Sequence, residues 1–210
     1  MGQKIHPKGF RIGPVFNWVS RWYAGSRQYK HLLLSDVLLR RELFLKLKSA
    51  GLAQVEIERS INKVKVTLHV SRPGVVIGRG GQGLEMLKKF VEGFLGKSQM
   101  KVDIAVEPVK EPNLNAYLVA TGIADQLARR MPHKRVCLQA VDRMMSAGAK
   151  GAKIKLSGRI NGAEIARREK FGTGTIPLST IRENIDFAAV PSLTKSGYIG
   201  VKVWICRKSE

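Results

Sequence analysis

Gly78, Arg79, Gly80, Gly81 and Gly83 lie in the run VVIGRGGQGLEMLKKF and spell two motifs at once. Gly78, Gly80 and Gly83 give G-x-G-x-x-G. That turn seats a dinucleotide pyrophosphate when a strand runs straight into it and a helix opens after it. Gly78-Arg79-Gly80-Gly81 gives G-x-x-G, a clamp for a nucleic-acid backbone. Glycine lets the main chain approach a sugar-phosphate where a side chain would collide. Arg79 can fork onto phosphate oxygens, and a following helix offers free N–H groups to phosphate. Val75, Val76 and Ile77, just ahead of the loop, could line a groove for a base. A plain glycine-rich turn is the third reading, and it would need neither the arginine nor basic surroundings.

The flanking sequence weighs against the dinucleotide. The preceding strand pattern ends by Ser71, and Pro73 and Gly74 intervene before the glycines. Asp103 has about the right offset for a ribose-binding acid, but it falls inside a strand pattern rather than at its end. The clamp is the favoured reading.

A second set of residues points to phosphate. Lys150, Lys153, Lys155, Arg159, Arg167, Arg168 and Lys170 crowd one span in which Glu164 and Glu169 are the only acids. Lys153 and Lys155 alternate with Ile154 and Leu156, so one face of a strand is cationic and the other packs. Trp204 alternates with Val203 and Ile205; packing is favoured for it over a base-stacking platform. No catalytic constellation emerges. Asp186 and Glu183 have no histidine near them in sequence, and Ser157 sits in LSGRI, not in a nucleophile elbow. The expectation is a protein that is not an enzyme and needs no cofactor and no metal.

The elements that would carry these residues follow from periodicity. Residues 1–25 hold Gly2, Pro7, Gly9, Gly13, Pro14 and Gly25, too many breakers for a regular element. Trp18, Trp22 and Tyr23 favour an arm that becomes ordered against a partner; a flexible tail is the alternative. A helical pattern runs from Gln28 to Ala50, stopped by Gly51. VEIERS and KVKVTLHVS read as strands joined by a turn around Asn62, with Val64, Val66, Leu68 and Val70 on one face and Lys63, Lys65, Thr67 and His69 on the other. After the glycines, Leu84, Leu87, Val91, Phe94 and Leu95 mark a helix face, with Lys88, Lys89 and Glu92 pointing away. Gly96 ends that helix, and KVDIAVEPV is a third strand.

EPVKEP, with Pro108 and Pro112, is the best linker. Beyond it come helical patterns from Asn113 to Arg130 and from Pro132 to Ser146, where Pro132 suits a first turn. AKIKLSGRI reads as a strand, GAEIARREK as a short helix or turn, and FGTGTIPL as loose chain. IDFAAVPS and YIGVKVWIC close the sequence as two strands around Lys195-Ser196-Gly197.

The composition agrees with a polyanionic partner. The 210 residues are 44% hydrophobic, enough to bury a core, yet carry 37 Lys and Arg against 16 Asp and Glu, a net charge of +21. Such a charge repels itself in a compact state unless a polyanion neutralises it. The basic residues are spread along the chain, which fits a partner touching many faces. Cys137 and Cys206 match no metal spacing and read as reduced. No apolar run reaches membrane-spanning length, and no membrane partner is expected. MGQKIHPKGF has no signal-peptide apolar region, and His6 stands where a myristoylation motif wants Ser or Thr. The reading is a soluble protein in a reducing compartment.

Helix-strand-strand, then VVIGRGG, then helix and strand resembles a K-homology domain of the second type, an RNA-binding module. The opening MGQKIHPKGFRIG, the core RPGVVIGRGG, and the pair KIKLSGRINGAEIAR and IGVKVWI together resemble the family of the third protein of the small ribosomal subunit, bacterial or organellar type. The likeness covers essentially the full length. It implies an α+β chain of two domains. Residues 1–25 would be an extended N-terminal arm and 26–107 a type II K-homology domain (α-β-β-α-α-β). Residues 108–210 would be an α/β domain with a mainly antiparallel sheet that binds ribosomal RNA.

The resemblance implies a structural place in the head of the small subunit, on a cytoplasmic or organellar ribosome. Ribosomal RNA would be held by Lys4, His6, Lys8, Arg11 and Arg21 of the arm and by the seven basic residues from Lys150 to Lys170. Gly78, Arg79, Gly80 and Gly81 form the K-homology loop. Lys134 and Arg135 match a basic cluster that contacts entering messenger RNA and helps unwind its hairpins. The third basic position falls on Leu138, a departure, and the family's longer C-terminal tail is missing after Glu210. Neighbours by resemblance are small-subunit proteins ten and fourteen. The competing reading is a free-standing K-homology regulator that binds messenger RNA transiently; the +21 charge favours the ribosomal one.

Overall fold

Strict alternation builds the first sheet. In Lys63–Val70 the residues Val64, Val66, Leu68 and Val70 are buried, while Lys63 and Lys65 on the other side are exposed. The computed structural model describes residues 3–61, 63–95 and 101–208; the turn at Asn62 and the stop at Gly96 lie outside them. The chain divides into two units, Trp18–Lys110 and Met1–Asn17 with Glu111–Glu210.

The first unit runs β1 (Ser20–Arg21), α1 (Ser26–Lys46), β2 (Leu52–Arg59), β3 (Lys63–Val70), α2 (Pro73–Ile77), α3 (Gln82–Leu95) and β4 (Lys101–Pro108). Its sheet order is β1-β2-β3-β4. β2 and β3 are antiparallel, with Ile57 opposite Val66, and β3 and β4 are parallel, with Val66 opposite Ile104. Leu39 and Leu43 of α1 and Leu87 and Val91 of α3 pack on Val55, Val66 and Leu68. Each fully buried Val or Leu contributes about 1.5–3 kcal/mol.

Several sequence expectations shift here. The helical pattern to Ala50 breaks at Leu47; a 3-10 turn, Lys48–Ala50, follows, and Gly51 ends it in the left-handed conformation (φ 68). KVDIAVEPV forms β4 as expected, with Pro108 as its last residue on an edge strand. Thr67 is buried despite facing the lysine side.

The second unit runs α4 (Ala116–Ala128), α5 (His133–Ser146), β5 (Gly151–Gly158), β6 (Arg167–Gly174), β7 (Ile185–Thr194) and β8 (Gly197–Cys206). All pairings are antiparallel, in the order β6-β5-β8-β7. The Asn115 side chain caps α4, its Oδ1 accepting from Tyr117 N (3.1 Å) and Leu118 N (3.2 Å). Pro132 precedes α5 as its cap residue. Ala120, Ile123, Val136 and Met144 of the helices meet Ile154, Leu156, Val201 and Val203 of the sheet.

The end of GAEIARREK and the start of the loose chain after it form a strand, β6 (Arg167–Gly174), while residues 163–166 and 175–177 are irregular as the sequence suggests. β6 is an edge strand, so its charged side chains need no buried face and its alternation is weak. Cys137 and Cys206 are free and buried. Burial pushes the Cys137 thiol up to about 12, with Glu169 adding to the shift.

The arm residues find partners within the chain. Arg11 is fully buried and donates to the carbonyls of Pro7 (2.8 Å), Leu178 (3.0 Å) and Thr180 (2.8 Å). Ser20 and Arg21 form β1 beside β2. Trp22 Nε1 donates to the buried Asp36 (2.8 Å), while Trp18 and Tyr23 stay exposed.

Candidate nucleic-acid interface

The glycine loop joins two helices, not a strand and a helix. β3 ends at Val70, α2 occupies Pro73–Ile77, and the turn Arg79–Gly81 leads into α3. No strand therefore aims at the loop as a dinucleotide turn requires. Gly78 (φ 70), Gly80 (φ 60) and Gly81 (φ 82) all take positive φ, where side chains are disfavoured. Gly83 has a different task. A Cβ there would collide with the carbonyl oxygens of Val76 and Ile77, so the last glycine of G-x-G-x-x-G lets α3 cross close to α2.

Arg79 and Gly80 are exposed. Val75 and Ile77 are also open to solvent, whereas Val76, expected to line the groove with them, is 2% exposed and belongs to the core. A five-residue helix cannot present three consecutive residues on one side.

The second sheet presents a cationic face opposite its helices. Lys155 stands across from Lys170 on β6 and from Lys202 on β8, a row of three ammonium groups. Arg168 lies two pairs further, on the same face, opposite Ser157. Lys153 pairs with Trp204, its Nζ 5.8 Å from the ring centre. Trp204 stacks obliquely on Phe187 (5.1 Å), and His6 meets Phe187 edge-on (5.0 Å). The Lys155 ammonium is held below its usual range, first by burial and then by Arg168, Lys170, Lys202 and Lys153. Cations flanking an aromatic strip offer phosphates and bases each a partner.

Sequence reasoning found Lys153, Lys155, Arg168 and Lys170. It missed Lys202 and Phe187, and it favoured packing for Trp204, which is half-buried on the open face. The alternation in IGVKVWIC carried Lys202 and Trp204 to one side; Phe187 enters only through the β7–β8 register.

The remaining expected residues separate into free and engaged groups. Lys4, Lys134 and Arg135 are exposed. Lys134 and Arg135 lie in the first turn of α5, and Leu138, one turn on, is 55% exposed. Arg21 bridges Glu56 (3.3 Å) and Glu58 (3.1 Å). Lys150 holds Glu183 (2.6 Å), Arg167 holds Glu169 (2.8 Å), and Lys8 approaches Asp186 (3.4 Å). Arg159 donates Nε–H to Ala163 O (2.8 Å). Arg11 is corrected from an RNA contact to a structural residue, because its buried guanidinium already serves main-chain carbonyls.

Among the described residues no cluster of His, Cys, Asp and Glu could hold a metal ion, and no helix is long and apolar enough to cross a membrane.

Two family models match the chain: a KH domain over residues 38–114 and the C-terminal domain of ribosomal protein S3 over residues 123–205. The small ribosomal subunit protein uS3 of Hydrogenovibrio crunogenus is 49% identical over 205 residues, 98% of this chain and 89% of that protein. The uS3 proteins of Carboxydothermus hydrogenoformans and Desulforudis audaxviator are each 45% identical, over 98% and 99% of this chain and 91% and 94% of theirs. A KH-type unit followed by a helix-backed antiparallel sheet, matched at this identity over nearly its whole length, places the chain in the uS3 family of small ribosomal subunit proteins.

Proposed function

We propose that the chain is a structural component of the small ribosomal subunit head that binds ribosomal RNA and lines the messenger RNA entry channel. The carrying observation is the row Lys170–Lys155–Lys202, which repels itself until a polyanion lies across it. Lys153, Arg168 and Trp204 extend that surface, and His6 of the arm adds to it through its contact with Phe187. Lys150 and Arg167 can reach phosphate only by sharing or leaving an acid, which ranks them below the unpaired lysines.

Residues 26–107 act as the K-homology module, with Gly78, Arg79, Gly80 and Gly81 closing on a single strand, and residues 108–210 hold ribosomal RNA. Residues 1–25 form an arm whose Arg11 anchors it within the chain. Lys134 and Arg135 face entering messenger RNA. With Leu138 in place of a third cation, hairpin unwinding is weaker than in relatives with the full cluster. Small-subunit proteins ten and fourteen are the neighbours implied by the family, and the site of action is a bacterial-type ribosome in the cytoplasm.

Sedimentation tests this reading. The chain should travel in stoichiometric amount with the small subunit after a moderate salt wash. Recovery at the top of the gradient with free messenger RNA would instead identify a transient regulator.

A further inference from the structure

Arg130 (φ 62) and Asn161 (φ 56) are the two non-glycine residues with positive φ among the described residues, and both line one cavity. The cavity, about 420 Å³, lies where three turns of the second unit meet: after α4, after β5 and between β7 and β8. Its floor is apolar: Met131 is open to solvent, Leu127 and Ile199 show only their edges, and Leu156 and Ile160 lie fully covered beneath them. Its rim is cationic, from Arg130, Arg159 and Lys195. The volume falls within the range of small-ligand sites, and polar and charged residues outnumber apolar ones in the lining.

The backbone strain is informative. Arg130 follows α4 in the left-handed position of a helix-ending turn, with Met131 N–H reaching back to Gln126 O (3.2 Å). Glycine is favoured there, and a β-carbon carries a penalty. The arginine side chain has no hydrogen-bond or ion-pair partner among the described residues that would offset it. The chain thus holds a free guanidinium at this mouth against its local preference.

Asn161 is fixed from behind. Its Oδ1 meets His133 Nδ1 (3.0 Å), and His133 Nε2 meets Glu169 (2.8 Å), so this wall is set before any ligand arrives. Arg159 is oriented by Ala163 O, which occupies its Nε–H.

We propose that this cavity binds a nucleoside 5′-phosphate, free or as an unpaired nucleotide of RNA. The apolar floor takes the planar ring, and the three cations take the phosphate. The site is distinct from the glycine loop and the open sheet face, and it does not depend on the ribosomal reading.

The test is calorimetric titration of the full chain with AMP and with hexa-adenylate. Three variants are compared: Arg130→Gly, Lys195→Ala, and Lys88→Ala, which removes one exposed charge from α3 as a control. Glycine suits φ 62, so Arg130→Gly should melt no lower than the wild type, and any loss of binding is then not unfolding. Arg130→Gly and Lys195→Ala should each weaken binding about tenfold, with Lys88→Ala unchanged. Weakening of AMP binding identifies a free mononucleotide as ligand; weakening of hexa-adenylate binding alone identifies a nucleotide within RNA. The proposal is overturned if neither ligand binds, or if both bind the two variants as they bind the control. Inorganic phosphate binding as tightly as AMP would also overturn it, since the floor would then contribute nothing.

Discussion

Lys155 and Lys202 stand directly opposite one another across the antiparallel β5–β8 pair, on the face of the sheet away from its helices. Lys170 completes the row from β6. Like charges in directly opposed positions destabilise a sheet. The free protein therefore carries, in one row, a local penalty and the surface proposed to bind phosphate.

Two opposite effects should follow from Lys155→Met. The folded pKa of Lys155 lies below its ordinary 10.5, so the folded state releases this proton before the unfolded state does. Wherever the unfolded state binds more protons, stability rises with pH. The penalty is thus fully present below the folded pKa and disappears as pH rises through the window just below 10.5. Lys155→Met should melt at or above the wild type near neutral pH and lose that part of the alkaline gain. Its RNA affinity should fall, with a salt slope shallower by about 0.7–0.9 for the lost phosphate contact. Melting curves across the alkaline range and filter binding at several salt concentrations check both. A variant that melts lower and binds RNA with unchanged slope would remove Lys155 from the interface.

The glycines should respond in opposite ways to substitution. Gly83→Ala forces a methyl into the carbonyls of Val76 and Ile77, and should destabilise the fold by about 1–3 kcal/mol. At Gly80, φ 60 and ψ 20 are a left-handed pair that Asp accepts better than most residues, and the space around it is open. Gly80→Asp and Arg79→Asp should keep the melting temperature nearly unchanged and weaken single-stranded RNA binding about tenfold through added negative charge. Equal RNA affinity in folded Gly80→Asp would leave the loop as a turn only.

What the sequence disclosed depended on how regularly each element repeats. Val64, Val66, Leu68 and Val70 alternate with polar residues, so β3 and its buried face were legible. β5 was legible for the same reason through Ile154 and Leu156. β6 was not, because an edge strand of charges and glycines has no buried stripe to display. β1 is two residues long, too short for any period. Candidate cations were easy to nominate by type, but their engagement depends on acids distant in sequence. Lys150 and Lys155 look alike in the chain; one is 2.6 Å from Glu183, and the charged groups that shift the other are the cations Arg168, Lys170, Lys202 and Lys153. Arg159 was nominated as a cation and Lys195 as part of a turn, but the cavity that joins them escaped notice because nothing in the string marks Arg130 as left-handed.

Arg11 illustrates the same gap and yields its own prediction. As a basic arm residue it resembled a phosphate contact, yet it is buried among carbonyls of the segment Pro177–Thr180. Arg11→Ala should strand those acceptors and destabilise the second unit by about 3 kcal/mol. Arg11→Lys should restore little, since one ammonium cannot reproduce the planar fork. Thermal unfolding without RNA measures this. If Arg11→Ala melts like the wild type and only loses RNA affinity, the structural role is wrong.

The entry-channel role proposed for Lys134 and Arg135 gives the last prediction. Both are exposed in the first turn of α5, where neighbouring residues diverge by about 100°. One shared phosphate is thus a poor fit for both, and two successive phosphates, or two separating strands, are a better one. Lys134→Ala with Arg135→Ala should slow translation of messages with a stable hairpin at the channel mouth more than unstructured messages. Binding of a single-stranded RNA by the variant should show a salt slope flatter by roughly 1.4, at about 0.7 per phosphate. Leu138 lies one turn further along the helix and is exposed, so Leu138→Lys adds a third cation without disturbing the core. That substitution should quicken passage through hairpins, and the double alanine variant should abolish part of its gain. Elongation assays on matched amounts of assembled subunits separate this from a role in assembly. If the pair only holds ribosomal RNA, the double variant lowers subunit yield and slows structured and unstructured messages equally, and Leu138→Lys changes neither.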